Sequence, residues 1–331
     1  MVFEEYEKPA ACWTGEEYYA GEKQKCLTII FRSGGCSWGQ CMMCGYTHVR
    51  YSNRDPVFLD QHIRAQLAWV KRKFPIDQYF IVKIFTSGSF LDTAEVPGET
   101  QREIIHSFRG KVVMVETRPE YVATDWVRIL RDETDDGTWE IPLHLAMGLE
   151  TTNDFIRKKC IRKGSTCVDF MQAASRAHEA GVGVKTYLLM KPPFLTENEA
   201  IEDMITSVKE VGKWSDQISM NLCTVQRSTP LEWLWRNGEY RPPYLWSVLT
   251  VLVAARRHIL CDLIGGGTSR GPHNCGACDR EIIDGIRDYS LSGDRSLVEA
   301  LLRIDCRCKE DWQFIRRHEM PYSLPLSNQI R

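Results

Sequence analysis

From Cys26 to His48 the chain reads CLTIIFRSGGCSWGQCMMCGYTH. Its opening, Cys26 to Arg32, is an apolar, β-branched run that predicts a buried strand. The remainder is a loop carrying three thiols, Cys36, Cys41 and Cys44, with Gly34, Gly35 and Gly39 to let the backbone approach whatever those thiols hold. Three soft donors on one short loop can fold round a single inorganic cluster. Most protein cubanes use four cysteines, so three local ligands predict a 4Fe-4S cluster with one iron left open. The alternative is zinc completed by a distant residue such as His48. Zinc loops favour CxxC pairs joined to a second remote pair, and the Cx4CxxC spacing here matches that template poorly.

Outward from this loop, further apolar runs recur at Tyr79 to Phe85, Lys111 to Val115, Leu143 to Leu149, Val182 to Leu189 and Gln217 to Cys223. Between them lie helical stripes such as Ile63, Leu67, Val70 and Phe74. Thr196 with Glu199 spells a capping box, and Gly181 is the expected stop of a helix over about 168–180. Alternating strands and helices imply right-handed crossovers and a parallel sheet, here a partial (β/α)6 TIM-like barrel, with an open doubly wound sheet as the alternative. The reading divides the chain into an N-terminal extension over 1–24, a barrel over 25–235 and a Cys-rich C-terminal appendage over 236–331, the last including an apolar helix from about Trp246 to His258.

At 331 residues, 43% hydrophobic and 26% charged, the chain can bury a large core, which excludes disorder and small disulfide scaffolds. A net charge of −2 excludes a global field drawing it onto polyanions. Met1 to Ala10 is acidic and lacks the order of a signal peptide, and no apolar run is long enough to span a bilayer. A cytoplasmic protein without a membrane partner is expected. In that reducing compartment 13 cysteines stay thiols, and clustered thiols point to metal.

The second cluster pairs Cys275 and Cys278 with Cys306 and Cys308. Two short pairs brought together make a tetrahedral four-thiolate site, for which structural zinc is expected and an auxiliary iron–sulfur cluster is the rival. Lone Cys160, Cys167, Cys223 and Cys261 read as packed thiols. Arg157, Lys158, Lys159, Arg162 and Lys163 crowd five cations into one stretch, either a phosphate contact for RNA or a solvated helix face.

With its loop and strand-end motifs, the chain resembles the radical S-adenosylmethionine superfamily, whose CxxxCxxC signature sits in the loop after the first strand of a partial barrel. Here that spacing is longer by one, Ser37 to Gln40 intervening, and Met43 stands where an aromatic is usual. The resemblance implies S-adenosylmethionine on the open iron, an external electron donor, and a role for Thr86-Ser87-Gly88-Ser89 at the methionine amino group. Glu116-Thr117-Arg118-Pro119 is similar to a segment of the Elongator-type enzymes, and Glu150 ends the fourth strand where a polar group meets the ribose. Glu116, Arg118, Glu150 and Lys185 are accordingly cofactor candidates, with Glu116 and Glu150 also catalytic ones; ordinary rim ion pairs are the alternative.

The strings KTYLLMKPPFLTENEA, MNLCTVQRSTPLEWLW and GPHNCGACD resemble the radical subunit family of archaeosine synthase. That likeness implies a modified tRNA whose 7-deazaguanine carries lysine through an amidine. It further implies cleavage of the lysine Cε–N bond and a lysine-transferring partner subunit. An Elongator-like enzyme acting on another RNA or a small substrate is the second reading. A noncatalytic cluster carrier or RNA-binding module is the third.

Overall fold

A computed structural model describes residues 7–320; the acidic start of the chain, Met1 to Tyr6, lies outside the described residues. Eight strands form one sheet in chain order: β1 (Ala11–Tyr19), β2 (Glu22–Ile30), β3 (Ile81–Phe85), β4 (Val112–Thr117), β5 (Leu143–Glu150), β6 (Gly183–Met190), β7 (Gln217–Leu222) and β8 (Leu260–Asp262). From β2 onward every pairing is parallel, so the six strands read from apolar runs are β2 to β7, the partial barrel expected. Two strands escape that reading. β1 folds back on β2 as an antiparallel hairpin, and β8 adds three residues beside β7. β1 and β8 are the two edges of the sheet.

Helices fill the crossovers: α1 (Pro56–Lys73), α2 (Gly98–His106), α3 (Thr124–Thr134), α4 (Cys167–Glu179) and α5 (Glu197–Val211). In α1, Asp55 caps the first turn by accepting from the Val57 and Phe58 amides, each at 3.0 Å. Ile63, Leu67 and Val70 bury the inner stripe, while Phe74 falls at the C-cap and is half-buried. The capping box at Thr196 and Glu199 forms, and Gly181 stops α4 region in the left-handed conformation at φ 72°. The tail continues through α6 (Pro230–Arg236), α7 (Leu245–Ala254), α8 (Asp279–Ser292), α9 (Arg295–Leu301) and α10 (Cys308–His318). α7 stops short of the His258 expected, because Ala255 turns extended and Arg257 is drawn off to the carbonyls of Gly212 and Ser215.

The outward faces of the strands are apolar because the helices cover them, with Leu27, Ile29, Val82, Ile84, Val113 and Val115 buried, while the inward face also carries polar groups such as Lys83, Lys185 and Ser219. Among the described residues no helix is long and apolar enough to cross a membrane.

Candidate active site and metal centre

The three-cysteine loop leaves β2 at the C-terminal end of the barrel and is pinned at several points. The Gly34 amide donates to the Glu95 carbonyl at 3.2 Å, Met42 to Ile161 at 2.9 Å, and Gly45 to the Gln226 side chain at 2.5 Å. Gly35 and Gly39 take positive φ, 73° and 61°, which glycine alone adopts without strain. Cys36, Cys41 and Cys44 are all half-buried. Burial, with Cys41 and Cys36 adding to it, pushes the Cys44 thiol up to about 11; burial likewise raises Cys41. Such thiols ionise when a cationic metal sits among them. His48, the candidate fourth ligand for zinc, instead places Nε2 3.4 Å from the Ser228 carbonyl. The donor set fits a cluster held by three thiolates.

The turn after β3 lies directly beneath this loop. A Cβ at Gly88 would collide with the Cys36 backbone and the Glu95 carboxylate, so the close approach requires glycine. Glu95, a residue the sequence reading missed, ties the two loops together. Its carboxylate accepts from the Ser89 amide at 3.0 Å, the Ser33 hydroxyl at 3.4 Å and the Thr86 hydroxyl at 3.5 Å. Burial pushes it up to about 7. Ser89 in turn meets the Thr117 hydroxyl at 2.8 Å and accepts from the Arg118 amide at 3.0 Å, while Ser87 bonds the Val49 carbonyl. Thus Thr86, Ser87, Gly88 and Ser89 form a turn packed against the three-cysteine loop.

Arg118 is buried at the end of β4, paired with Glu120 at 2.5 Å and lying 5.7 Å from the centre of the Trp38 ring. Glu116, half-buried a step earlier, lines the cavity, and burial pushes its carboxyl up to about 8. Glu150 ends β5 at a bulge with φ 69° and binds Lys163 at 2.6 Å. Lys185, on β6, stands in register with Glu116 through Ala146 of β5, and its ammonium is held by Glu17 of β1.

The five cations do not share a surface. Arg157 is 1% exposed, its guanidinium bound to the carbonyls of Leu149, at 3.0 Å, and Thr151 and to the Asp154 carboxylate. Lys163 is turned inward onto Glu150, Lys159 is half-buried, and Lys158 and Arg162 are exposed.

In the tail, Cys275, Cys278, Cys306 and Cys308 converge, their sulfurs all within 4.8 Å of one another. The closest pairs are Cys306 to Cys308 at 3.4 Å, and Cys275 to Cys306 and Cys278 to Cys308 at 3.7 Å each. Thiolates bound at about 2.3 Å to one tetrahedral metal stand about 3.8 Å apart. Ligands at the corners of a cubane stand much farther apart. The Trp246 indole N–H points at the Cys308 sulfur, 3.3 Å, and Asn274 at the Cys278 sulfur, 3.4 Å, as outer partners that steady thiolate charge.

A cavity of about 670 Å³ lies against the barrel strands, lined by Thr86 and Glu116, by Glu17, Lys83 and Lys185, and by both edge strands. Glu17 and Asp262, which contribute to its charge, were also missed by the sequence reading, since nothing local marks them as cavity-lining.

These features agree with relationships to known proteins. The family model of the Radical SAM superfamily matches residues 30–206. Archaeosine synthase subunit beta of Methanosarcina acetivorans is 42% identical, over 96% of this chain and 93% of that one. The protein of the same name from Thermococcus kodakarensis is 36% identical, over 92% and 95%. Methylornithine synthase shares the fold, with a TM-score of 0.52 at 15% identity, covering 90% of this chain and 87% of its own. The chain belongs to the radical S-adenosylmethionine superfamily and, within it, to the family of these archaeosine synthase beta subunits.

Proposed function

We propose that this chain is the radical subunit of an archaeosine synthase. It acts on tRNA whose 7-deazaguanine bears lysine through an amidine, and it cleaves the lysine Cε–N bond to leave the formamidine of archaeosine. The observation that carries the reading is the 42% identity, sustained along nearly the whole chain, with a protein named archaeosine synthase subunit beta. In this reading Cys36, Cys41 and Cys44 hold a 4Fe-4S cluster. Bound there, the cluster supplies one-electron reductive cleavage of S-adenosylmethionine, the source of a hydrogen-abstracting radical.

What the chain itself contributes is orientation and exclusion of water. The turn Thr86 to Ser89, fixed by Glu95, presents backbone and hydroxyl groups to the methionine end. Glu150, held by Lys163, and Arg118, beside Trp38, offer polar contacts to the nucleoside end. Glu116, whose carboxyl is pushed up to about 8, can donate a hydrogen bond into the cavity in its protonated form. Cys275, Cys278, Cys306 and Cys308 hold one zinc ion, a reading supported by their tetrahedral spacing. The partners are the tRNA, a lysine-transferring subunit and an external electron donor, in the cytoplasm.

The test is anaerobic incubation with S-adenosylmethionine, reductant and tRNA carrying the lysine adduct, followed by mass analysis of the base. Loss of the lysine carbon skeleton with gain of the formamidine supports the reading. An unchanged adduct alongside newly formed 5′-deoxyadenosine removes this substrate.

A further inference from the structure

The cavity contains a charge arrangement that holding a cluster and S-adenosylmethionine does not require. Lys83 on β3 and Lys185 on β6 both turn inward, and both ammonium groups bind the single carboxylate of Glu17, Lys83 at 2.7 Å. Two cations on one anion leave one positive charge in excess, and the side chains of Lys185 and Glu17 are only 4% and 10% exposed. Charge in such a place is costly unless something completes it. Burial holds Lys185 below its ordinary pKa even beside Glu17.

Across the same cavity, at the end of β8, Asp262 faces the open side. Among the described residues it forms no ion pair; its carboxylate accepts from the Ile264 amide at 3.1 Å. It is within electrostatic reach of both lysines. Asn221 and Ser219 line the wall beside it, and Thr86 and Glu116 close the end nearest the cofactor turn. The cavity therefore offers one excess positive charge on one wall and, across it, a carboxylate without an ion-pair partner among the described residues, in a chamber that Thr86 and Glu116 also line. Its volume is in the range of pockets that enclose small organic ligands.

We infer that Lys83, Lys185 and Asp262 form a subsite for the zwitterionic head of an α-amino acid, the carboxylate meeting the two lysines and the α-ammonium meeting Asp262. This rests on the proposed function, in which the amino acid is the lysine carried by the base. The flexible four-carbon stem of that lysine separates its head from the amidine. The head anchors within the barrel while the Cε–N bond stays by Thr86 and Glu116. A residue in this subsite is a specificity determinant, since it touches only the part of the substrate that distinguishes an amino acid from a plain amine.

Calorimetric titration of the cluster-loaded full chain, with S-adenosylmethionine present and oxygen excluded, tests this with N6-(1-iminoethyl)-L-lysine, a free amino acid bearing an amidine. The expected result is binding that weakens at least tenfold when the probe lacks its carboxylate or carries an Nα-acetyl group. Asp262→Asn weakens binding to a similar degree. Lys185→Met also weakens it, yet leaves the neutral pair of Lys83 and Glu17, so the thermal midpoint of the ligand-free protein holds or rises; a purely structural lysine would lower it. Equal affinity for the truncated probes, or unchanged affinity in both variants, overturns the subsite. If both variants convert lysine-bearing tRNA with an unaltered KM, the subsite falls and the proposed function stands. If the wild-type chain binds the probe with the stated preferences and leaves that tRNA untouched, the subsite stands and the tRNA substrate falls.

Discussion

Lys163 Nζ lies 2.6 Å from Glu150 Oε1, and both side chains are 10% exposed. The pair locks the end of β5 to the turn that follows it. Removing one member of a pair this deep leaves the other as an uncompensated charge, which costs about 3–5 kcal/mol when burial is complete. Lys163→Met is therefore expected to lower stability by an amount approaching that range in denaturant titration. The double variant Lys163→Met with Glu150→Gln should recover a large part of the loss, and no recovery would mean that the pair is not the source.

Gly88→Ala places a methyl group against the Cys36 backbone, which cannot yield as a flexible side chain would. Iron per chain after anaerobic reconstitution should fall steeply while far-UV circular dichroism keeps the barrel signature. Full iron loading in this variant would show that the two loops are free to move apart.

Four sulfurs spaced for one tetrahedral ion set the outcome for Cys308→Ser and Cys275→Ala. Elemental analysis should show zinc lost and the iron and sulfide of the first cluster retained, with a lower thermal midpoint. Loss of four irons in either variant would instead assign an auxiliary cluster to the tail.

His144 on β5 is enclosed by the barrel, its Nε2 3.0 Å from the Tyr19 hydroxyl and its Nδ1 without a hydrogen-bond partner among the described residues. Burial drags its pKa from the ordinary 6.5 to about 4. The folded state thus keeps His144 neutral, whereas the unfolded chain takes up a proton below 6.5. The stability it contributes is present above 6.5 and is lost as pH falls through 4, to a total of about 3 kcal/mol. Thermal melts between pH 7 and pH 4 should show a shallower decline for His144→Gln than for the parent.

For tRNA binding, Lys158→Ala and Arg162→Ala should each weaken affinity and reduce the slope of log affinity against log salt by about 1, as expected for phosphate contacts. Arg157→Ala should leave that slope unchanged and lower the thermal midpoint, because its guanidinium is spent on the carbonyls of Leu149 and Thr151. Equal salt slopes for all three variants and the parent would remove this stretch from the RNA interface.

The parts of the fold legible in the sequence are those whose signal is local. β2 to β7 are runs of Val, Ile and Leu, and the caps at Thr196 and Gly181 are set by residues within a few positions of each other. β1 was hidden because an edge strand facing both solvent and a polar cavity reads TGEEYY, with no apolar alternation. β8 is too short to carry a pattern. The convergence of the four tail cysteines was legible because their spacing in paired motifs marks it, whereas Glu17 and Glu95 act through partners up to 168 positions away. Arg157 and Lys163 show the converse: a run of cations looks like a wet helix face until the chain turns two of them inward.

The thiol knot of the tail has a reach beyond its own loop. Cys278 is the N-cap of α8, and two residues near the far end of that helix grip the β8 segment, the Tyr289 hydroxyl accepting from the Ile259 amide at 3.3 Å and Ser290 Oγ from the Cys261 amide at 3.1 Å. The next residue along, Asp262, borders the chamber. If those sulfurs hold a metal as proposed, its scarcity would be felt as a slackened chamber wall, blunting discrimination among substrates while leaving the three-cysteine loop near the start of the sequence intact.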